Sequence, residues 1–382
     1  MNFDYTDEQQ QLADSVRKVL AGSYGFETRK AILHSASGHS DSAWATFAEL
    51  GLLAIALPEA DGGFGGGAVD LMPVMEACGD ALVLEPLLDN IALGGRLLAK
   101  AGNADQRGVL LPGLADGSIK LAFASLEPGQ RYSLMPEATT ASAQGGQAGG
   151  WLLNGAKSVV VGAASASRLI VSARSSGSAG QADGVSLFLV DPQAPGVRLN
   201  PSRTVDGLRA ADVHFNNVAL DAQALLGPAG GAQPLIDEAV DFATALLCAD
   251  AIGAMQYAND ATLDYLKTRK QFGVAIASFQ VLQHRMVEMV ICTEQARSMA
   301  ILAAAKVDDP SVSPRERSRA VSAAKVKIAD AARQVSQEAV QLHGGMGMTE
   351  ELKISHSFRR LTMAAQRFGD ADHHLERYAA LS

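Results

Sequence analysis

Several residue types are scarce in this 382-residue chain, and their scarcity narrows what the protein can be. There are only three cysteines, Cys78, Cys248 and Cys292, which lie far apart and match no metal-ligand spacing. We therefore expect buried, reduced thiols and a cytoplasmic protein. No basic run stands out, and the net charge is -9. This balance argues against a nucleic-acid partner.

Long apolar runs are also missing. Gly, Asp or Arg interrupts each of the longest ones before it reaches membrane-spanning length, so no membrane partner is expected. The N-terminal residues are acidic and include no apolar stretch of the kind found in secretory signals. The hydrophobic fraction is nevertheless 48%. At this chain length, that fraction predicts a large core divided among two or three domains.

The pattern of apolar residues divides the chain into three parts. Residues 1–118 are typical of helices, and Thr6 with Gln9 has the form of a capping box. Residues 119–228 hold short runs rich in β-branched and aromatic residues, which predict an antiparallel β domain with a hairpin loop at 142–150. Residues 229–382 predict a four-helix bundle, with helices near 235–268, 279–307, 315–343 and 351–365.

The segment TRKQFG joins the first two predicted helices of the bundle. Arg269 and Lys270 precede Gly273, and such an arrangement is typical of a solvated helix C-terminus, where cations suit the helix dipole. The same residues could instead form an anion site in which Arg269 binds a phosphate. Both interpretations stay open on these residues alone.

A second unusual segment, QLHGGMGM, follows the third predicted helix of the bundle. Gly344, Gly345 and Gly347 fall within four positions, which is more than a helix end requires. Glycines at this density indicate a backbone that another group approaches closely, and a phosphate held by backbone N–H groups is one candidate. A bare helix terminus is the other.

Near the C-terminus, Asp370 and Asp372 lie beside His373 and His374. Adjacent histidines diverge on a helix, and no second His pair has ligand spacing, so we expect no metal. The two acids suit the first turn of a helix, where Asp is a common cap. A catalytic carboxylate is the alternative for Asp370.

Taken in order along the chain, these motifs resemble those of the acyl-CoA dehydrogenase family. The resemblance rests on GLLAIALPEADGGFGGG followed by Glu76, on Glu127-Pro128, and on NGAKSVVVGA, TRKQFG, QLHGGMGM and the Phe-Gly pair near the end. It covers essentially the whole chain. Within the family, the set looks most similar to the small subunit of pimeloyl-CoA dehydrogenase, a branch in which two unlike members associate.

The resemblance implies a fold, a cofactor and a set of contacts. The fold is an N-terminal helical domain, a middle β domain and a C-terminal four-helix bundle, and FAD is held between subunits. A glutamate removes the α-proton of an acyl-CoA thioester while the flavin accepts a hydride. The residues that match contacts to a neighbouring subunit's FAD are Arg269, Lys270, Gln271, Phe272, Phe279, Gln280, Gln341, Gly344 and Gly345.

Two positions for the catalytic base depart from the family pattern. Phe368 stands where a glutamate base is common. Ala243 with Thr244 occupies the alternative position for the base, on the first bundle helix. None of these side chains can take up a proton from the substrate.

Positions that would serve this chain's own flavin depart as well. Val159 and Val161 replace the Trp and Thr expected against the flavin ring. The Gly-Ser-Asp expected after Glu127-Pro128 is replaced by Gln130, Arg131 and Tyr132.

Neither family position for the catalytic base therefore holds a residue that could act as one. Asp370 is the nearest acid to it, two residues late, and is our candidate for the catalytic base. Asp241 and Asp250 on the first bundle helix are reserve candidates, although structural ion pairing explains both equally well.

Three functions are compatible with this pattern. We expect FAD-dependent α,β-dehydrogenation of an acyl-CoA, with this chain as the smaller subunit of a two-component enzyme. The acyl group would be pimeloyl or another dicarboxylyl chain, bound through Arg131 or Arg209, or a bulkier steroid side chain. Electrons would leave to an electron-transfer flavoprotein. The alternatives are a homo-oligomer (a dimer or tetramer) that uses Asp370, and a non-catalytic partner that binds a CoA ester or acts as a scaffold.

Overall fold

The computed structural model of the protein describes residues 5–145 and 149–382. Its helices are α1 (Asp7–Ser23), α2 (Phe26–His34), α3 (Asp41–Glu49), α4 (Ala68–Ala81), α5 (Arg96–Ala101), α6 (Ala104–Ala115), α7 (Gln233–Thr268), α8 (Gln280–Asp308), α9 (Pro314–His343), α10 (Lys353–Gln366) and α11 (Ala371–Ala380). A π-helix spans Asp89–Gly95, and a 3₁₀ segment, Gly344–Met348, follows α9.

The strands are β1 (Leu121–Ala124), β2 (Thr140–Ala143), β3 (Trp151–Val161), β4 (Arg168–Arg174), β5 (Val185–Val190), β6 (Val197–Arg203), β7 (Arg209–Leu220), β8 (Leu225–Leu226), β9 (Lys270–Gln271) and β10 (Val274–Ala275). The first eight form one sheet in the order β6-β7-β3-β2-β4-β5-β8, and β1 pairs with β4. Most pairings are antiparallel, whereas β4 pairs in parallel with β1 and β2.

The chain divides into two compact units. One comprises residues 1–33, 67–83 and 244–382, and the other comprises residues 34–66 and 84–243. The helices before residue 118 are thus shared between the units, because α1 and α4 belong to the first and α3, α5 and α6 to the second. The expected boundaries of three sequence domains, 1–118, 119–228 and 229–382, stay a prediction.

The first unit is built around the long helices α8 and α9, with α10 and α11 packed on α9. Small residues let two other helices cross closely. A Cβ added at Gly79 of α4 would lie 1.9 Å from the Asp250 carbonyl oxygen of α7, and one added at Gly253 would lie 1.9 Å from the Glu76 carbonyl oxygen. Only glycine permits this crossing at either position.

The second unit contains the sheet. Its apolar core is formed by alternate residues of several strands, including Leu153, Val171, Phe188 and Val213. β2 and β3 form the predicted hairpin, and residues 146–148 of its loop lie outside the described residues. A buried ion pair between Lys157 Nζ and Glu127 Oε1, 3.1 Å apart, also lies in this unit.

Most elements match the sequence-based predictions, with a few differences. Thr6 and Gln9 form the predicted capping box. Helices α2 and α6 lie within residues 1–118, which the sequence predicts to be helical. Cys292 is half-buried rather than buried. α7 ends at Thr268, so Arg269 and Lys270 lie beyond it, because the chain turns there into the β9–β10 hairpin. Among the described residues, none of the helices combines the length and apolar character needed to cross a bilayer.

Candidate flavin-contact surface

The TRKQFG and QLHGGMGM segments meet at one end of the bundle in the first unit. The Tyr265 ring, in the last turn of α7, stacks on the His343 ring at the end of α9 with centroids 4.5 Å apart. Arg285, near the start of α8, donates from Nε to Glu338 Oε2 of α9 at 2.6 Å. These contacts bring the end of α7, the start of α8 and the end of α9 together.

Beyond α7 the chain makes a tight two-residue hairpin. Gln271 pairs with Val274 across the turn, and the two central residues, Phe272 and Gly273, have φ of 54° and 83°. Positive φ at both central positions defines a type I′ turn, which favours Asn-Gly rather than an aromatic residue. Phe272 is 91% exposed, and its ring contacts Phe279 edge-on at 6.2 Å between centroids. The strained position therefore presents an aromatic ring to the outside.

The glycine segment is also open to an outside group. Gly344 has φ 61° and ψ -146°, a conformation that only glycine adopts readily. A Cβ added at Gly344 or Gly345 would meet nothing within 4 Å, so contacts among the described residues do not explain a glycine at either position. Gly347 is different, because its Cβ would lie 2.7 Å from the Val340 carbonyl oxygen. Two of the three glycines are thus left open to the surroundings.

The side chains of five further predicted contacts are exposed as well. Arg269, Lys270, Gln271, Gln280 and Gln341 are all exposed. Within 5–145 and 149–382, the side chains of Arg269 and Lys270 have no ion pair. Two exposed cations beside open glycine backbone fit an anionic group such as a diphosphate. We call the nine predicted residues, from Arg269 to Gly345, the flavin-contact surface.

The turn between α10 and α11 holds the family's common base position. Phe368 there has φ 61°, and a Cβ added at Gly369 would lie 2.4 Å from the His373 ring. Lys325, buried on α9, donates from Nζ to the carbonyl oxygens of Gly369 at 2.7 Å and Ala365 at 3.1 Å. His374 Nε2 donates to the Phe368 carbonyl oxygen at 3.0 Å. These hydrogen bonds hold the backbone of the turn in place. The Phe368 side chain at the base position, however, cannot accept a proton.

Asp370 has a defined role in this turn. It is the N-cap of α11, and its Oδ1 accepts a hydrogen bond from the His373 backbone N–H at 2.9 Å. Of the reserve candidates, Asp250 accepts two hydrogen bonds from Arg360 at 2.8 and 2.7 Å, which accounts for its burial, and Asp241 is buried. The assignment of Asp370 as catalytic base stays a prediction.

Sequence patterns give no sign that Lys325 and His374 clamp this turn. A buried lysine such as Lys325 gives no sequence signal, because lysines on helices are usually exposed. Burial lowers its pKa to about 8. Burial, followed by the positive charges of Lys325 and Arg377, lowers the pKa of His374 to about 3. His374 is therefore neutral, and its Nδ1 accepts from Ser322 Oγ at 3.2 Å.

In the second unit, two of the family's flavin-ring positions keep a distinctive backbone. Val159 has φ 51°, its N–H donates to Asp212 Oδ1 at 3.0 Å, and its side chain is exposed. Arg131 has φ 30°, and its guanidinium lies 5.4 Å from the Tyr132 ring centroid. Both backbones are in the left-handed region, which L-residues rarely adopt.

The Glu127 carboxylate organises the segment that follows Glu127-Pro128. It accepts hydrogen bonds from the backbone N–H groups of residues 137–139. Burial alone would raise the pKa of Glu127, but Lys157 and these amides lower it to about 2. Glu127 is thus a charged structural group that fixes residues 137–139.

Arg209, one of two arginines considered for a distal carboxylate, makes a hydrogen bond to the backbone and packs against a glycine. Its Nη2 donates to the Ser35 carbonyl oxygen at 2.6 Å, and it packs so closely on Gly38 that a Cβ there would lie 2.0 Å from its Nε. The described residues also contain no group of three or more His, Cys, Asp or Glu side chains arranged to hold a metal.

Comparison with known proteins gives a consistent result along the whole chain. Residues 6–118, 122–218 and 222–380 match the family models for the N-terminal, middle and C-terminal domains of acyl-CoA dehydrogenase. The chain is similar to the acyl-CoA dehydrogenase FadE12 of Mycobacterium tuberculosis, with 32% identity over 361 residues that cover 93% of this chain and 90% of the relative.

Solved structures extend the comparison. A variant of the Tcur3481-Tcur3483 steroid ACAD aligns with a TM-score of 0.87 and 29% identity, covering 98% of this chain and 97% of that chain. The ChsE4-ChsE5 complex from Mycobacterium tuberculosis aligns with a TM-score of 0.87 and 23% identity, covering 100% of this chain and 98% of that chain. At that identity, the second match supports the fold alone.

Because His374 is buried and neutral, we expect α11 to open more easily as the pH falls. The folded pKa of His374, about 3, lies below the value near 6.5 of an unfolded histidine, so the unfolded state binds the extra proton as pH falls from about 6.5. The free energy of opening α11 should fall by about 2 kcal/mol between pH 7 and pH 5. Hydrogen–deuterium exchange of the peptide spanning α11, corrected for intrinsic exchange, measures this change.

The His374→Gln variant should lose most of that pH dependence. His34→Gln, at an exposed position, is the matched control and should keep it. Equal pH dependence in the wild-type and His374→Gln proteins would show that His374 is not the group responsible.

Proposed function

Because this chain belongs to the acyl-CoA dehydrogenase family, we propose that it is the smaller subunit of a two-component enzyme and completes the flavin site of an unlike subunit. Members of the family are oxidoreductases that act on the CH–CH group of an acyl-CoA and depend on FAD. The two-component arrangement and the identity of the acyl group are our proposals.

The observation that carries the proposal is an asymmetry between two sets of positions. The residues that match contacts to a neighbour's flavin are present and grouped at one end of the bundle, on its exposed surface. The positions for this chain's own flavin ring and base hold Val159, Val161 and Phe368 instead of the expected residues. A second copy of this chain would therefore bring a cleft without a base, whereas an unlike family member could bring a complete one.

Backbone strain supports a functional role for these positions. Among the described residues, the non-glycine residues with positive φ are Leu82, Arg131, Val159, Asn217, Phe272 and Phe368. Four of these six, namely Arg131, Val159, Phe272 and Phe368, coincide with positions that the family resemblance assigns to flavin or base. A left-handed conformation costs an L-residue roughly 1–2 kcal/mol, and such strain concentrates at functional sites.

Each part of the flavin-contact surface suits a different part of FAD. Arg269 and Lys270 offer charged donors for the diphosphate. The open backbone at Gly344 and Gly345 lets that group approach the main chain, and the exposed Phe272 ring offers an apolar face for stacking. Bound FAD supplies the hydride acceptor, and the residues of this chain hold it in place.

The proposed base lies in the partner. Phe368, Ala243 and Thr244 cannot take up an α-proton. The alternative, in which this chain is catalytically independent, assigns the proton transfer to Asp370. The N-cap hydrogen bond of Asp370 supports the first version, because a carboxylate that caps a helix already has a structural function.

The acyl group and the electron acceptor extend the proposal. A dicarboxylyl-CoA such as pimeloyl-CoA would need a cation for its distal carboxylate, and Arg131 and Arg209 are the two candidates. The 29% identical structure is of a steroid ACAD, which supports a bulkier acyl group as the alternative. Electrons would pass to an electron-transfer flavoprotein.

The flavin contact across the subunit boundary is tested by Arg269→Gln and Phe272→Asn in the complex with the unlike subunit. Asparagine tolerates positive φ, so the second variant removes the ring and keeps the turn. We expect each variant to weaken FAD binding by about 10- to 100-fold, because a charged hydrogen bond or a stacked ring is lost. Flavin release followed by fluorescence measures the effect.

Arg198→Gln is the matched control for this experiment. Arg198 is an exposed arginine on β6, outside the flavin-contact surface, and its loss should leave the FAD affinity unchanged. If the Arg269 and Phe272 variants also bind FAD with wild-type affinity, this chain does not contact the flavin through these residues.

The role of Asp370 is tested by two substitutions that separate the cap from the base. Asparagine is as good an N-cap as aspartate but cannot take up the proton. We expect Asp370→Asn to retain turnover in the complex, and Asp370→Ala to cost about 1 kcal/mol in stability through loss of the cap. Turnover that disappears in Asp370→Asn with FAD still bound would instead identify Asp370 as the base.

A further inference from the structure

A buried arginine and a buried histidine form a contact that joins α2 to α10. Arg29 and His356 are only 1% and 2% exposed. The Arg29 guanidinium donates from Nη1 to His356 Nδ1 at 2.9 Å and from Nε to the Leu82 carbonyl oxygen at 2.7 Å. The Phe26 ring contacts the His356 ring edge-on, with centroids 4.9 Å apart. A cation and an aromatic ring therefore fix the histidine from the side of α2.

The other nitrogen of the His356 ring faces Glu350. An arginine can only donate, so His356 Nδ1 accepts, and the proton of the neutral ring lies on Nε2. Nε2 lies 3.3 Å from the Glu350 carbonyl oxygen and 3.2 Å from Glu350 Oε2, both of which can accept its proton. Arg359 Nη2 donates to the same carboxylate oxygen at 2.9 Å. Two side chains of α10 thus hold the backbone and the carboxylate of Glu350.

Glu350 lies just after the glycine segment, Gly344–Met348, from which it is separated by Thr349. The Thr349 backbone N–H and hydroxyl both donate to the Met346 carbonyl oxygen, at 3.2 and 2.9 Å. A chain of contacts therefore runs from α2 through α10 and Glu350 to the backbone of the glycine segment.

The open half of the glycine segment benefits most from such an anchor. A Cβ added at Gly344 or Gly345 would meet nothing within 4 Å, so side-chain packing does not restrict the backbone there. Glycine loses more conformational freedom on ordering than any other residue. A segment that is already held at one end leaves less ordering to be done when a ligand binds, which favours affinity.

We propose that Arg29 and His356 are positioning residues that hold the glycine segment, through Glu350, in the conformation that receives FAD. Neither residue belongs to the flavin-contact surface. The role toward FAD rests on the proposed function, whereas the hold on the segment requires neither flavin nor a partner and can be measured in the lone chain.

Protonation of His356 should release the hold. A proton on Nδ1 would turn an acceptor into a donor facing the Arg29 N–H, and would place a second positive charge beside the guanidinium. Burial, followed by the charges of Arg29 and Arg359, lowers the pKa of His356 to about 4, and Glu350 acts in the opposite direction. A histidine in the opened segment has a pKa near 6.5, so the open state binds the proton first as the pH falls.

Hydrogen–deuterium exchange of the peptide spanning residues 344–352 in the lone chain tests this hold. Corrected for intrinsic exchange, opening of the segment should increase about 20-fold between pH 7 and pH 5. In His356→Asn, the amide oxygen can replace Nδ1 as the acceptor for Arg29, while the titrating ring and the contact with Glu350 are lost. We expect this variant to open more than the wild type at pH 7 and to lose most of the pH dependence.

Arg29→Lys is a second variant that keeps the positive charge. A single ammonium group cannot reproduce the two directed hydrogen bonds of the guanidinium, so the segment should open more at pH 7 and keep its pH dependence. His34→Asn, at the exposed end of α2, is the matched control and should behave as the wild type. Circular dichroism and thermal melting check the folding of each form.

Two results of the exchange experiment would overturn the proposal. One is a wild-type segment whose opening does not change with pH. The other is a His356→Asn segment that keeps the full pH dependence, which would assign that dependence to another group such as His343 at the end of α9.

FAD binding in the complex with the unlike subunit tests the role toward the cofactor. His356→Asn should weaken FAD binding by about threefold or more at pH 7, because fewer chains hold the segment in the receiving conformation. If Arg269→Gln weakens FAD binding and His356→Asn does not, the positioning role is overturned and the proposed function stands. If neither variant weakens it although exchange shows a released segment, the proposed function fails and the hold on the segment stands.

Discussion

The stacking of Tyr265 on His343 is the contact on which the proposed site depends. It joins the last turn of α7 to the last turn of α9 and so places a hairpin and a glycine segment, far apart in sequence, at the same end of the bundle. Burial lowers the pKa of His343, and its Nδ1 donates to the Ala339 carbonyl oxygen at 2.8 Å, so the ring is neutral and fixed. This stacked pair places the segment with the exposed cations and the segment with the open glycines at the same end of the bundle.

Backbone strain and side-chain exposure distinguish residues that we expect to contact another molecule from residues whose family role this chain has lost. Phe272 keeps a left-handed backbone and exposes its ring, an arrangement expected where another molecule covers the ring. Phe368 and Val159 keep the same kind of backbone but carry side chains without acid–base chemistry. Lys325 and His374 nevertheless hold the Phe368 turn in place. We propose that these positions keep the backbone of the family's functional segments and that a partner supplies the missing chemistry.

Much of the fold could be predicted from the sequence, and the exceptions have physical causes. The long helices α7 to α10 were predicted within a few residues, because strong 3.6-residue periodicity reports directly on burial. The bounds of helix α2 could not be predicted, because Arg29 is buried where the pattern requires an apolar residue. Arg29 Nε donates to the Leu82 carbonyl oxygen across 53 positions, and long-range contacts of that kind leave no local signal.

Some features of the candidate site could likewise be predicted from the sequence, and others could not. The exposed residues of TRKQFG and QLHGGMGM could be identified because their motifs are local. The burial of Lys325 and the left-handed backbone at Val159 depend on packing that sequence patterns do not report. The use of Asp370 as a cap was one of the two alternatives that the sequence offered, because an acid at the start of a helix is a local signal, and Asp370 is the N-cap of α11.

The most direct test of the proposed two-component enzyme is the flavin content of this chain, purified alone and purified with an unlike acyl-CoA dehydrogenase subunit. We expect little bound FAD and no acyl-CoA turnover for the lone chain, and stoichiometric FAD with turnover for the pair. A lone chain that carries a full complement of FAD and dehydrogenates an acyl-CoA at the rate of the pair would contradict it.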